Sequence, residues 1–254
     1  MEKSKPNTKR YYHLVGLVML VFFVISFITN ILNSIIVDVK DSFDLSLTST
    51  GFLPFTFFIA YGIMSIPAGF LSEKYSERTL LSSSFFIMGI ASLGFAIFPG
   101  YGVFSITLFT LGCCMAVLQV IINPMLRVAG GEEHFAFNSV LAQLVFGGAS
   151  FLSPYLYKYL VNQGNNSDDP LAETLRGLVP ANLPWASLYI VFSIISFVLL
   201  IYVFFNKYPK FEKTEEEKTG DSSSYKDVLR NKWTLFRVHG TKHSSKPARS
   251  CCRS

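Results

Sequence analysis

Six apolar runs, each long enough to cross a bilayer, constrain this chain more than any other feature. They cover residues 12–37, 50–72, 79–98, 102–128, 136–161 and 184–206. The hydrocarbon core of a membrane is about 30 Å thick, so a spanning helix needs about 20 mostly apolar residues. Each run meets that length, and none shows the short alternating pattern of a membrane β-strand. Only helices and closed barrels satisfy every backbone N–H and C=O in lipid. The runs therefore predict an all-α membrane protein with six transmembrane helices. Composition agrees: of 254 residues 50% are hydrophobic and 15% charged, and 25 are Phe, too apolar for an ordinary soluble domain of this size. The first run is too long for a secretory signal peptide and has no small-residue cleavage site before its asparagines, so it is expected to remain as a helix.

Charge sets the expected orientation, because Lys and Arg close to helix ends mark the cytoplasmic side. Lys3, Lys5, Lys9 and Arg10 precede the first run, Lys74 and Arg78 follow the second, Arg127 closes the fourth, and Lys207, Lys210 and Lys213 follow the sixth. The opposite connections carry Asp38, Asp41 and Asp44 with Lys40, an uncharged Pro-Gly-Tyr turn at 99–101, and Asp168, Asp169 and Glu173 with Arg176. Both termini are thus expected in the cytoplasm and the helices in the inner membrane. The net charge of +5 is dispersed rather than gathered on one patch, so no nucleic acid partner is expected.

The four cysteines form adjacent pairs, Cys113 with Cys114 and Cys251 with Cys252. Neither has metal-ligand spacing, and no metal or cofactor is expected. No intramembrane Asp pair, Ser–Lys or Ser–His dyad, or His/Glu cluster is visible, which argues against an enzyme. Glu132, Glu133 and His134 read as a solvated helix start.

The connection between the second and third runs, residues 69–78, is a compact turn carrying Gly69, Leu71, Ser72, Glu73, Lys74 and Arg78. It resembles the cytoplasmic signature loop of the major facilitator superfamily, G-x-L-[A/S]-D-[K/R]-x-G-x-[K/R]. Glu73 stands where the pattern has Asp, keeping the carboxylate; Ser76 replaces a Gly and makes the turn less permissive. The resemblance implies a conformational-switch loop built on Gly69, Glu73, Lys74 and Arg78. Ordinary charge bias at a cytoplasmic surface is the alternative. The segments 27–33, 60–70, 119–124 and 141–143 are similar to the fucose and glucose/galactose permease branch of that superfamily. This likeness implies half of a twelve-helix fold, built as two three-helix repeats, that carries a sugar such as a hexose by alternating access.

Residues three or four apart share a helix face, so Ser26, Asn30, Asn33 and Ser34 form a stripe on the first helix. Gln119 and Asn123 form a second on the fourth helix, and Ser139, Gln143, Gly147 and Ser150 a third on the fifth. Such groups in lipid seek partners. They either hold the bundle together or line a wet cavity, where amides offer donors and acceptors to sugar hydroxyls. Asn30, Asn33, Gln119, Asn123 and Gln143 are the substrate-binding candidates. Proton-coupled members of the resembled branch carry an Asp in helix one and a Glu in helix four; the ungapped positions here are Ser34 and Gln119. Neither titrates, and no Asp or Glu lies inside the six runs, although a proton relay needs such groups. Ser34 and Gln119 remain ion-coupling candidates through their oxygens, with sodium as the possible ion.

Residues 207–236 read as a cytoplasmic linker, and the expected seventh apolar run does not follow. Residues 237–254 form a basic tail with no apolar periodicity, read as the product of a frameshift or as a lipid-binding tail. The expectation is an amino-terminal half, inactive alone, whose partners are a sugar, the lipid bilayer, and a missing carboxy-terminal half or second copy. A non-transporting six-helix scaffold or partner subunit is the alternative.

Overall fold

The computed structural model describes residues 12–161, 170–180 and 182–205. All belong to the first of two compact units, residues 1–213; the second is residues 214–254. The expected cytoplasmic amino terminus, linker and basic tail lie outside the described residues. Among the described residues six helices are long and apolar enough to cross a membrane. They are α1 (Tyr12–Ser42), α2 (Leu47–Lys74), α3 (Glu77–Ile97), α4 (Tyr101–Gly130), α5 (Phe135–Val161) and α7 (Ser187–Phe205). The connection into α7 contains a short helix, α6 (Pro170–Gly177), and a 3-10 turn, Pro184–Ala186.

Local chemistry sets the helix ends. The Ser46 and Ser76 hydroxyls accept hydrogen bonds from the backbone N–H of Ser49 at 3.2 Å and Thr79 at 3.3 Å, each satisfying one of the donors a helix start leaves open. Asp44 turns the chain into α2 at a φ of 47°, and Gly131 ends α4 at a φ of 79°. Pro54, Pro67, Pro124 and Pro154 lie inside α2, α4 and α5 without breaking them, as spanning helices tolerate when neighbours compensate. With 31 residues, α1 is about 46 Å long and overruns the hydrocarbon core at both ends. It continues past residue 37 and carries Asp38 on the helix rather than in the following turn.

The packing has a two-fold pattern. The main helix pairs are α1 with α5, α2 with α4, and α3 with α7, while α1 also packs on α4. The two halves are α1–α2–α3 and α4–α5–α7. Exchanging them turns the α1–α5 pair into the α4–α2 pair and leaves α3–α7 and α1–α4 unchanged. Each half has three spans, an odd number, so the second half crosses in the opposite sense. Contacts between helices agree. Ser26 and Phe27 of α1 meet Ser150 and Ser153 of α5 in parallel order. Ala60 and Tyr61 of α2 likewise meet Cys113 and Gln119 of α4. By contrast, Arg78 and Gly89 of α3 meet Phe204 and Ser193 of α7 in antiparallel order. This is the inverted-repeat arrangement of transporter half-folds.

At the end of the bundle opposite Lys74 and Arg78, rings close the packing. Trp185, Tyr189, Phe95 and Phe104 are fully buried, with Trp185 stacked on Phe95 at 5.5 Å and edge-on to Phe104 at 5.4 Å. The Trp185 indole N–H donates to the Ser42 hydroxyl at 3.0 Å, satisfying its polar end.

The α2–α4 approach depends on Gly112. A Cβ there would sit 2.3 Å from the Phe57 carbonyl oxygen and 3.0 Å from Ala60 Cβ. Gly94 has nothing within 4 Å of its Cβ position. Gly112→Ala is therefore expected to cost about 1–3 kcal/mol through overpacking, whereas Gly94→Ala stays near neutral. Thermal unfolding of the two variants in detergent micelles checks the contrast.

Candidate functional site

The two central helices carry four of the five amides, and α5 carries Gln143. The most apolar stretches of α1 and α4 are each 61% buried, against 17% in α2 and 11% in α5, so α1 and α4 form the axis around which the others pack. Depth follows from the helical rise of about 1.5 Å per residue. Asn30 sits about 5 Å from the middle of α1 and Gln119 about 5 Å from the middle of α4. Because the helices run oppositely, these positions fall on opposite sides of the midplane. Asn33 and Asn123 lie one turn further out on each helix.

Hydrogen bonds divide the five amides. On the α1–α5 seam, the Ser26 and Ser150 hydroxyls lie 3.0 Å apart and both donate to the Phe146 carbonyl, at 2.5 and 3.2 Å. The Asn30 amide N–H group donates to the Ser26 carbonyl at 2.8 Å and the Ser150 hydroxyl at 2.9 Å. Its donors are thus used inside the bundle. On the α2–α4 seam, the Tyr61 hydroxyl donates to Gln119 Oε1. Asn123 donates to the Gln119 backbone carbonyl at 3.1 Å, a bond within its own helix. Asn33 and Gln143 are exposed on the bundle surface, Ser34 is half-buried, and none of the three shows a side-chain hydrogen bond among the described residues. The structure therefore joins Asn30 to α5 and Gln119 to α2, and leaves Asn33, Asn123 and Gln143 on uncovered faces. Beside Asn30, Phe23 and Phe27 of α1 stack with ring centres 5.9 Å apart.

The charged loop is tied to its own half-fold partner. Arg78, second residue of α3, donates from its guanidinium to the Phe204 carbonyl and lies over the Phe204 ring at 5.0 Å. It thereby meets one of the last carbonyls of α7, where a cation is favoured. Lys74 lies over the Tyr75 ring at 5.6 Å. Gly69 accepts from the Ser72 hydroxyl at 2.7 Å, and nothing in the bundle lies within 4 Å of where its Cβ would be. Glu73 is exposed. Ser76 has φ −68° and ψ 148°, an extended conformation that needs no glycine, and its hydroxyl caps α3 instead.

Asp38 and Tyr157 form a pair that sequence reasoning missed. The Tyr157 hydroxyl donates to the Asp38 carboxylate, linking α1 to α5 about 17 Å from the middle of α1, at the edge of the hydrocarbon core. The signal was present in the spacing: residues 26, 30, 34 and 38 step by four along one face, and 150, 153 and 157 follow the matching face of α5. Among the described residues no group of three or more His, Cys, Asp or Glu could hold a metal ion.

The two kinds of amide predict different responses. Asn30→Ala removes the anchor between α1 and Ser150 and is expected to lower stability by about 1–2 kcal/mol. Asn33→Ala is expected to stay within about 0.5 kcal/mol. Unfolding midpoints measured in one detergent distinguish them, and equal losses would contradict the division.

Comparison with known proteins adds to this geometry. The model of the Major Facilitator Superfamily matches residues 18–241. A glucose/galactose transporter of Brucella abortus biovar 1 (strain 9-941) is 24% identical over 236 residues, covering 90% of this chain and 55% of that protein. The L-fucose-proton symporter of Escherichia coli (strain K12) is 25% identical over 166 residues, covering 60% of this chain and 38% of that protein. The chain spans about half the length of the curated relatives it matches. The crystal structure of a Major Facilitator Superfamily transporter, FucP, in the outward conformation superposes with a TM-score of 0.64 at 18% identity, over 91% of this chain and 59% of that one. This likeness extends to the fold of the helix bundle.

Proposed function

The chain belongs to the Major Facilitator Superfamily, a superfamily of carriers rather than enzymes, and we propose that its six helices are one bundle of a sugar carrier. The observation that carries this reading is the set of amides on uncovered faces. Asn33 and Asn123 lie on either side of the midplane on the two central helices, and Gln143 extends the set onto α5. A hexose presents hydroxyls that both donate and accept, and carboxamides answer both needs. Phe23, half-buried on α1, offers an apolar ring face to the sugar. Asn30 and Gln119 hold the helices that present these groups, and Gln119 keeps its N–H donors for the ligand. The sugar substrates printed for the Brucella and Escherichia relatives support the same class.

The transport path needs a second six-helix bundle across the open faces, since alternating access is the rocking of one bundle against another around a shared site. A second copy of this chain or a carboxy-terminal six-helix bundle supplies it. The loop with Gly69, Glu73, Lys74 and Arg78 acts as the switch, with Arg78 tying α3 to the end of α7 as the bundles move. Both termini face the cytoplasm, supported by Lys3, Lys5, Lys9 and Arg10 before α1 and by Lys207, Lys210 and Lys213 after α7.

No carboxylate lies near the midplane of α1 or α4, and Ser34 and Gln119 do not titrate. This bundle therefore does not bind a coupling proton there. Transport is facilitative, sodium-coupled through side-chain oxygens, or coupled through the second bundle.

Equilibrium binding of labelled glucose, galactose and fucose to the purified protein tests the reading. At least one is expected to bind, and Asn33→Ala or Asn123→Ala is expected to weaken it about three- to tenfold, the loss of one hydrogen bond. Failure of all three sugars to bind, or unchanged affinity in both variants, would overturn it. A proven monomer reconstituted alone is expected to show no hexose uptake.

A further inference from the structure

A second polar region lies away from the amides, between α3 and α7 at the charged-loop end of the bundle. Here a groove of about 760 Å³ is lined by Arg78, Thr79, Ser82, Phe86, Leu200 and Phe204, among others. Its chemistry changes with depth. Arg78, Thr79 and Ser82 gather at the helix start, and the Phe204 carbonyl takes one of the five N–H donors that a guanidinium offers. Phe86 comes eight residues after Arg78, about 12 Å deeper along α3. Phe86, 49% exposed, lines the groove there, and Leu200 of α7 lines it about 6 Å in from Phe204, level with Ser82. The groove thus lies on the side of the bundle, with a cation and hydroxyls toward the charged-loop end and apolar side chains further along the helices.

A hexose has no anionic group for the Arg78 guanidinium, and a soluble anion would leave the apolar wall empty. A molecule with a phosphate at one end and an acyl chain at the other meets both parts. We propose that this groove binds a glycerophospholipid of the adjoining leaflet, with its phosphodiester on the Arg78 guanidinium and the Thr79 and Ser82 hydroxyls and an acyl chain along Phe86 and Leu200. Basic pockets between spanning helices are the places where headgroups are held. Arg78 bonds the end of α7 and the lipid together, so an occupied site fastens the α3–α7 seam.

The test is native mass spectrometry and thermal unfolding of the purified, delipidated protein with three probes: dioleoyl phosphatidylglycerol, dioleoylglycerol and inorganic phosphate. The phospholipid is expected to be retained at one copy and to raise the melting temperature. Neither the uncharged diacylglycerol nor phosphate at equal concentration is expected to do so. Arg78→Gln is expected to weaken phospholipid retention about fivefold, the contribution of one basic residue near a membrane surface. Arg78→Gln also loosens the α3–α7 seam, so Ser82→Phe serves as the second variant: it fills the groove and keeps the bond to Phe204. It is expected to abolish the lipid-induced shift, read against the variant's own lipid-free melting temperature. Equal stabilisation by dioleoylglycerol, stabilisation by phosphate alone, or an unchanged phospholipid shift in Ser82→Phe would each overturn the proposal.

Discussion

Lipid tails are as apolar as leucine, so a bundle in a membrane cannot rely on hydrophobic burial to choose its helix partners. Close backbone approach and hydrogen bonds between helices make the choice. In this chain both operate along the two equivalent seams. The α1–α5 seam is bonded by Ser26, Asn30 and Ser150, with Ser153 reaching the Phe27 carbonyl at 3.2 Å. The α2–α4 seam is closed by Gly112 against the Phe57 carbonyl and tied by Tyr61 to Gln119. Once these are in place, α1 and α4 stand at the centre, and α3 and α7 close the remaining side.

That arrangement explains why polar groups of the same type have different fates. Asn30 faces α5 and spends its donors there. Asn33, three residues further along, has rotated off the seam, and Asn123, four residues beyond Gln119, is exposed on α4. A stripe that crosses from seam to open face both holds the bundle and presents hydrogen-bonding groups beyond it. The exposed apolar residues on the same two-fold pattern, among them Phe52 and Ile63 on α2 and Val140 and Leu144 on α5, are ordinary for helices meeting lipid or another bundle.

Much of this was legible in the sequence, for physical reasons that differ by feature. Six spans could be read because bilayer thickness imposes a length that no other fold class requires. The amide stripes could be read because helical periodicity places Asn30 with Ser26, and Gln119 with Asn123. Which helix each stripe would face was not legible, because partner choice depends on three-dimensional complementarity such as Gly112 against Phe57. Asp38 was missed because hydropathy falls before the helix ends: the last turns of α1 extend past the hydrocarbon core, where charged residues are compatible with helix. Ser76 reads as a departure from a glycine pattern, yet its backbone is extended and its hydroxyl supplies a cap. The partner of Arg78, a carbonyl 126 residues away, has no local signature at all.

We propose that Asn33 and Asn123 face a water-filled path and not lipid. Single cysteines at these positions, and at the midplane position Val198 on α7, in a variant whose four native cysteines are replaced by Ala, allow a direct measurement in intact membranes. A membrane-impermeant thiol reagent is expected to label the cysteines at 33 and 123, excess hexose to slow that labelling, and the cysteine at 198 to stay unreacted. Protection of 33 and 123 to the same degree as 198 would contradict it.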